Sequence, residues 1–340
     1  MGEYARSLSI ARAAQRQWPR AEIHFALSRK APYAATVPFA ATLLDSSPTF
    51  HSAAIARLIQ SFGPTLVVFD NAGRTAQLRA ARRHGARIVF ISARSRQRRK
   101  AFRWRWMRLI DEHWIAYPQF ITGDLSWWER FKLARLGRPT VRYLDVILAR
   151  DSDRESALTR MGLKPGTYVL IVPGGGTGHP GVQDAAQQFL AAANSLAETE
   201  TVVFVGPAPS AGGAVAPGPR LRCVDSLPQA ELAQLMAEAR LAITNGGSTL
   251  LQAIACGRAC VAVAIAKDQP ARIAHCVAAG VAVSADLTSA GILRAAEKLL
   301  RDEPARTALA QRASRLKLAN GVEIALNALK HLAETAQEPV

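Results

Sequence analysis

For its size, this chain is short of acid. Its 340 residues hold 43 Lys and Arg against 26 Asp and Glu, a formal net charge of +17 at pH 7. A surface of that sign attracts nucleic acid, anionic lipid or phosphorylated substrates, and it does not by itself choose among them. Long apolar runs are lacking too, and none would cross a bilayer. The opening MGEYARSLSIARAAQRQ puts charges where a secretory leader would be apolar, and Arg6 stands where N-myristoylation at Gly2 would need Ser or Thr. The four cysteines, Cys223, Cys256, Cys260 and Cys276, form no C-x-x-C pair and are expected to be reduced, buried side chains of a cytoplasmic protein. What remains, 49% hydrophobic residues with a mean hydropathy of +0.04, describes a globular protein long enough for two domains.

The most informative stretch is Ala242–Ala266, AITNGGSTLLQAIACGRACVAVAIA. It reads as the end of a strand, a break at Asn245-Gly246-Gly247-Ser248, a helix over Thr249–Cys256, a stop at Gly257 and a second strand over Cys260–Ala266. Glycine lets backbone approach a ligand, and the helix end behind it offers unpaired N–H groups, the arrangement that holds phosphate. Gln252 lies in the first helical turn and leans toward that end, where its amide would reach a sugar hydroxyl. The plainer reading is an ordinary βαβ unit with a tight turn.

Along the chain, Glu3 to Trp18 form an amphipathic helix, with Leu8, Ile10, Ala11 and Ala14 apolar and Arg6, Arg12 and Arg16 on other faces. A strand over Glu22–Leu27 follows. A helix introduced by glycine ordinarily follows a strand, so either the start is placed late or the sheet lacks a strand. Thr65–Phe69 is a strand ending in Asp70 and Asn71, a helix runs on to Arg83, and Arg87–Ser92 is the next strand. His113–Pro118 is expected to be the last strand of the first domain, with the charged Asp151–Glu155 as the boundary. The second half starts afresh with the strand Tyr168–Pro173, a glycine turn at Gly174–His179 and a helix over Val182–Leu196. Strands Thr201–Val205 and Leu221–Val224, a Gly/Pro/Ala-rich loop Gly206–Pro219 and a helix Gln229–Glu238 come next. Such alternation implies parallel sheets covered by helices on both faces, with ligands at the carboxyl ends of strands. Asp70 and Asn71 occupy one such end, although Asp70 would serve equally as a helix cap. His179 reads as a backbone-bonded loop residue.

Arg94–Arg108, RSRQRRKAFRWRWMR, interleaves seven further cations from Arg96 on with Phe102, Trp104, Trp106 and Met107 and contains no acid. Trp within a basic segment suits a membrane surface or lipid phosphate. Single-stranded nucleic acid is a lesser fit, and a solvated loop leading into a helix with core-facing aromatics is the third reading. Trp127, Trp128 and Phe131, among Glu129, Arg130 and Lys132, add weight to an interfacial role.

With these residues in place the chain resembles the GT-B glycosyltransferases, two Rossmann-like domains with parallel sheets facing a cleft. It is most similar to the UDP-N-acetylglucosamine transferase that forms lipid II and to the UDP-sugar hydrolase of pseudaminic acid synthesis. The likeness is most specific from Tyr168 to Val283. By this resemblance, Val224 and Leu227 of Val224-Asp225-Ser226-Leu227 hold the uracil. Asn245, Gly246, Gly247, Ser248 and Thr249 form the turn at the diphosphate, and Gly175, Gly176 and Thr177 the second loop near the phosphates. Asp268 and Gln269 touch the donor sugar. Gln252 stands where such families place a glutamate on the ribose, keeping an acceptor and dropping a charge. Gly2-Glu3-Tyr4-Ala5-Arg6-Ser7-Leu8 resembles the hydrolase's G-H-x-x-R-x-L element, which puts Glu3 in the position of a catalytic histidine as general base, the plainer role being a cap on its helix. Gly2, Arg6, Asp70 and Asn71 are expected beside it, on the substrate.

The resemblance thus implies residues 1–148 as an acceptor-binding domain whose first strand is missing, 149–303 as a nucleotide-sugar-binding domain and 304–340 as C-terminal helices and tail. The expected activity is inverting, metal-independent transfer from a UDP-linked sugar, with no cofactor. Glycine-loop N–H groups and a helix end would stabilise the leaving diphosphate. The acceptor is a lipid-linked phosphate or an anionic glycan steered by Arg94–Arg108, at the inner membrane face or in the cytoplasm. Hydrolysis of the same donor and non-catalytic nucleotide-sugar binding are the alternatives; nucleic acid is not the expected partner.

Overall fold

The computed structural model describes residues 2–149, 157–174, 182–207 and 219–337. The chain divides into two compact units, one of Gly2–Asp145 with the stretch from Asn320 onward, the other of Val146–Ala319.

The first unit opens on α1 (Gly2–Gln17), then β1 (His24–Ser28), β2 (Ala40–Leu44), α2 (Ser52–Phe62), β3 (Leu66–Asp70), α3 (Thr75–Arg83) and β4 (Arg87–Ser92). It continues with α4 (Ser95–Ala101), α5 (Trp104–Met107), β5 (Glu112–Ile115), α6 (Gln119–Thr122), α7 (Trp127–Leu136) and β6 (Thr140–Tyr143). Strands β3-β4-β5-β6 form one parallel sheet, and β1 and β2 form a separate parallel pair. Ala26 of β1 and Leu44 of β2 pack on the same apolar cluster as Val67 and Phe69 of β3, yet no ladder joins β1 to β3. The sheet expected to be short of one strand is therefore in two pieces, each with an open edge. His113–Pro118 does not supply the last strand, because β6 lies beyond it and pairs with β5. Arg142 interrupts the apolar pattern of β6 and reaches Glu112 of β5 with Nε and Nη2, each 2.9 Å from a carboxylate oxygen.

The second unit contains α8 (Ala157–Arg160), β7 (Tyr168–Val172), α9 (Val182–Leu196), β8 (Thr201–Val205), β9 (Leu221–Val224), α10 (Gln229–Glu238), β10 (Leu241–Asn245) and α11 (Ser248–Ala255). Then come β11 (Cys260–Val263), α12 (Gln269–Ala278), β12 (Val283–Ala285), α13 (Ser289–Arg301) and α14 (Glu303–Arg315). Its sheet is parallel throughout, in the order β12-β11-β10-β7-β8-β9. Strands β7, β10 and β11 are buried along their whole length, which is why they read as continuous apolar runs. Phe189 and Phe204 fill the core between α9 and the sheet, each contributing about 1.5–3 kcal/mol by burial. The stretch expected as a single C-terminal piece is shared out. Helix α14 packs on α11 and α13, whereas the last helix, α15 (Gly321–Gln337), belongs to the first unit and packs on α1. None of the four cysteines is in a disulfide; Cys260 and Cys276 are buried as expected, but Cys256 is only half-buried and Cys223 is exposed on the edge strand β9.

Candidate functional site

In the second unit β7 and β10 are neighbours at the point where the strand order reverses, β8 and β9 lying to one side and β11 and β12 to the other. Ligands of open α/β sheets bind outside the carboxyl ends of strands at such a point. Gly174, the first residue of one glycine turn, and the Asn245–Ser248 turn meet there. Asn245, the last residue of β10, donates from Nδ2 to the Pro173 carbonyl at 2.7 Å and accepts the Gly247 N–H on Oδ1 at 2.7 Å. Gly174 has φ +90°, and a Cβ on it would lie 2.0 Å from Asn245 Nδ2, so only glycine fits beneath the amide. At Gly246 an added Cβ would meet Ile273 at 2.7 Å. Gly247 caps α11 with no side chain, so the first-turn N–H groups take no side-chain cap, with exposed Ser248 and half-buried Thr249 beside them.

The remaining expected donor residues divide between holding the corner and facing outward. Gln269 is buried, and its Oε1 accepts Gly246 N–H at 3.2 Å and Ile265 N–H at 2.8 Å, so it braces the turn. Asp268 is exposed and pairs with Arg272 at 3.2 Å. Arg272, which the sequence did not mark, is buried behind the turn and donates from Nη1 to the Gly246 carbonyl at 2.6 Å; its position four residues after Asp268 is the only local signal. Gln252 spends its Nε2 on the Ile147 carbonyl at 2.9 Å and keeps Oε1, the acceptor that a ribose hydroxyl needs. Val224 and Leu227 are half-buried at the end of β9, two strands from β7, roughly 10 Å at the usual strand spacing. Gly175, Gly176, Thr177 and His179 lie outside the described residues, as does the acidic triplet Asp151-Ser152-Asp153.

In the first unit α1 meets the carboxyl end of β3. Arg6 is not on a solvent face of α1. It is buried, with Nε 3.0 Å from Asp70 Oδ2 and Nη2 2.5 Å from Oδ1, and Ser7 Oγ donates to the same carboxylate at 2.9 Å. Burial raises the Asp70 carboxyl above its ordinary range while Arg6 and Ser7 pull it back. These two charges are consumed by each other and fasten the helix, so Asp70 is neither a helix cap nor a solvated loop residue. Glu3 is left exposed one turn earlier, held through Oε1 by Asn71 Nδ2 at 2.5 Å, with Arg94 3.8 Å away. Asn71 adopts φ +58° and accepts the Ala93 N–H on Oδ1 at 3.0 Å, so each end of its amide has a fixed partner. Gly2 has nothing within 4 Å of an added Cβ, so packing does not require it. Beside Glu3, Tyr4 stacks on Tyr33 with centroids 3.9 Å apart, a platform that no local sequence pattern marks.

The basic segment resolves residue by residue. Phe102, Trp106 and Met107 are core, while Trp104 is exposed. Among the described residues no helix is long and apolar enough to cross a membrane.

Two parallel-sheet α/β units, the second with the Asn245–Ser248 turn at its switch point, have the GT-B fold. Residues 137–321, more than half of the chain, match the model of the UDP-N-acetylglucosamine 2-epimerase family, and the chain belongs to that family. Among solved structures it is similar to a UDP-glucosyltransferase from Polygonum tinctorium (13% identity, 96% of this chain and 95% of that one, TM-score 0.66). It is also similar to MurG of Acinetobacter baumannii (16% identity, 97% and 96%, TM-score 0.63) and to S. aureus MnaA in complex with UDP (14% identity, 99% and 96%, TM-score 0.62). At these identities the likeness is one of fold. No curated protein matches the chain.

Proposed function

We propose that the protein is an inverting glycosyltransferase that takes its sugar from a UDP-linked donor. The observation that supports this reading is the Asn245–Pro173 bond, which sets Gly174 and the Asn245–Ser248 turn side by side at the switch point of the second unit. The α11 end and the β7 corner hold the diphosphate and stabilise it as it leaves, in place of a metal. Gln252 Oε1 takes the ribose, Val224 and Leu227 flank the base, and Asp268 meets the sugar. The first unit holds the acceptor, a lipid-linked phosphate or an anionic glycan, and Glu3 removes the proton of its attacking hydroxyl. Direct attack with a single base inverts the anomeric centre.

Family membership favours a second reading, epimerisation of the donor sugar at C2. Incubation of the purified chain with UDP-N-acetylglucosamine and no acceptor separates the readings. Accumulation of the C2 epimer without UDP release assigns an epimerase, release of UDP and free sugar assigns a hydrolase, and an unchanged donor that is consumed only when acceptor is added supports transfer. Activity that persists in EDTA is expected of the metal-independent mechanism. A thermal-shift screen of nucleotide sugars tests the shared premise, since a bound donor stabilises by mass action. No shift with any uridine nucleotide would overturn the donor site itself.

A further inference from the structure

We propose that the face formed by α7 and the α4–α5 segment docks onto an anionic phospholipid bilayer. None of the ten residues of α7 is buried, and Trp127, Trp128 and Phe131 are 66%, 51% and 49% exposed. Helices of folded domains ordinarily turn such side chains inward, and a contiguous apolar patch left outside marks an interaction site. Here the three rings form one cluster, Trp127 stacked on Trp128 at 4.2 Å and Trp128 edge-on to Phe131 at 5.5 Å.

The cluster is mounted rigidly. Ser126 and Glu129 close a capping box at the start of α7. Arg98 of α4 grips Glu129 with Nε at 3.0 Å and Nη2 at 2.8 Å, and it donates to the carbonyls of Thr122 at 2.9 Å and Asp124 at 2.7 Å. Lys132 Nζ reaches the Phe102 carbonyl at 3.1 Å. These bonds join α7 to the segment that carries exposed Arg99, Arg103, Trp104 and Arg105, while Arg130 and Arg135 of α7 itself are exposed. The one acid on α7, Glu129, is neutralised by Arg98, so the surface presents aromatics and cations together.

Bilayer chemistry fits this combination. Indole rings settle at headgroup level, and each cation near anionic lipid contributes about 1 kcal/mol. A protein partner would need acids matched to the individual arginines. Single-stranded nucleic acid needs ring faces open to bases, and here Trp127 and Trp128 cover one another. Docking is peripheral and independent of which reaction the protein performs.

The full chain is tested by flotation with vesicles of phosphatidylcholine, alone or mixed with phosphatidylglycerol. Wild-type protein is expected to float with the anionic vesicles only, less so as salt rises. The Trp127→Ala/Trp128→Ala/Phe131→Ala variant should lose at least about tenfold in vesicle affinity. Arg103→Gln/Arg105→Gln/Arg130→Gln/Arg135→Gln should lose on the order of a thousandfold, from about 1 kcal/mol per cation. Because α7 buries no side chain, the aromatic variant should keep the wild-type melting temperature. Failure of wild type to float, or equal flotation of wild type and the aromatic variant, overturns the proposal. So does a wild-type dimer or an oligonucleotide complex that the aromatic variant abolishes and anionic vesicles fail to displace, which would assign the face to a second copy or to nucleic acid.

Discussion

The Asn245 amide and the Pro173 carbonyl are hydrogen-bonded at 2.7 Å, which fastens the end of β10 to the end of β7 across the switch point of the second unit. Asn245→Ala leaves that carbonyl and the Gly247 N–H without their partner. An unmet buried polar group costs about 1–3 kcal/mol, so the melting temperature should fall. If the corners hold a diphosphate, UDP affinity measured by calorimetry should fall about tenfold or more. Asn245→Asp keeps the acceptor for Gly247 but sets an oxygen against the Pro173 carbonyl, and it is expected to be at least as damaging.

At Gly246 the argument is steric. A methyl group there would sit 2.7 Å from both Cδ1 and Cγ1 of Ile273 and 3.0 Å from Gln269 Cβ. Gly246→Ala should destabilise by about 1–3 kcal/mol, the usual cost of overpacking. Ile273→Ala removes both clashing atoms, so the double variant should recover nucleotide binding that Gly246→Ala loses. Equal binding by Gly246→Ala and wild type would remove this turn from the proposed site.

Much of the second unit was legible because parallel strands buried on both faces leave unbroken apolar runs closed by glycine. Predicted bounds of α9, β8, β9 and α10 match the structure. Helix α2, with Ile55 and Ile59 one turn apart on its buried face, was equally legible and went unassigned, as did α13. Strands β2, with small residues, and β6, with Arg142 in its middle, gave little pattern to read. Side-chain partnerships were beyond local reading. Arg6 looked solvent-facing because its partner Asp70 is 64 residues away, and nothing near Gln269 announces that its carboxamide supports Gly246.

Glu3 and Asn71 separate chemistry from support. Glu3→Gln keeps the size of an exposed side chain and should leave stability unchanged while lowering turnover by about a hundredfold or more, the usual contribution of a general base. Asn71 holds Glu3 Oε1 from φ +58°, a conformation that alanine resists and glycine accepts. Asn71→Gly should therefore fold more stably than Asn71→Ala while both lose turnover, with the loss in kcat. Unchanged turnover in Glu3→Gln would take both residues out of the mechanism.

His113 makes the first unit sensitive to mild acid. It is fully buried on β5 between Phe90 and Phe102, its Nε2 is 2.8 Å from Ser92 Oγ, and burial, helped by the nearby Arg98 cation, pushes its pKa down from 6.5 to about 3. The unfolded chain takes up this proton as pH falls through 6.5, whereas the folded chain stays neutral until about 3. Stability is therefore present above that window and is lost on acidification at about 1.4 kcal/mol per pH unit, or about 2 kcal/mol by pH 5. Other groups titrate over the same range, so the readout is a difference between proteins. Urea melts of wild type at pH 7 and pH 5 should differ by about 2 kcal/mol more than those of His113→Leu, which forfeits the Ser92 bond at both pH values but has no proton to bind. The same pH dependence in both proteins would show that His113 is not the group responsible.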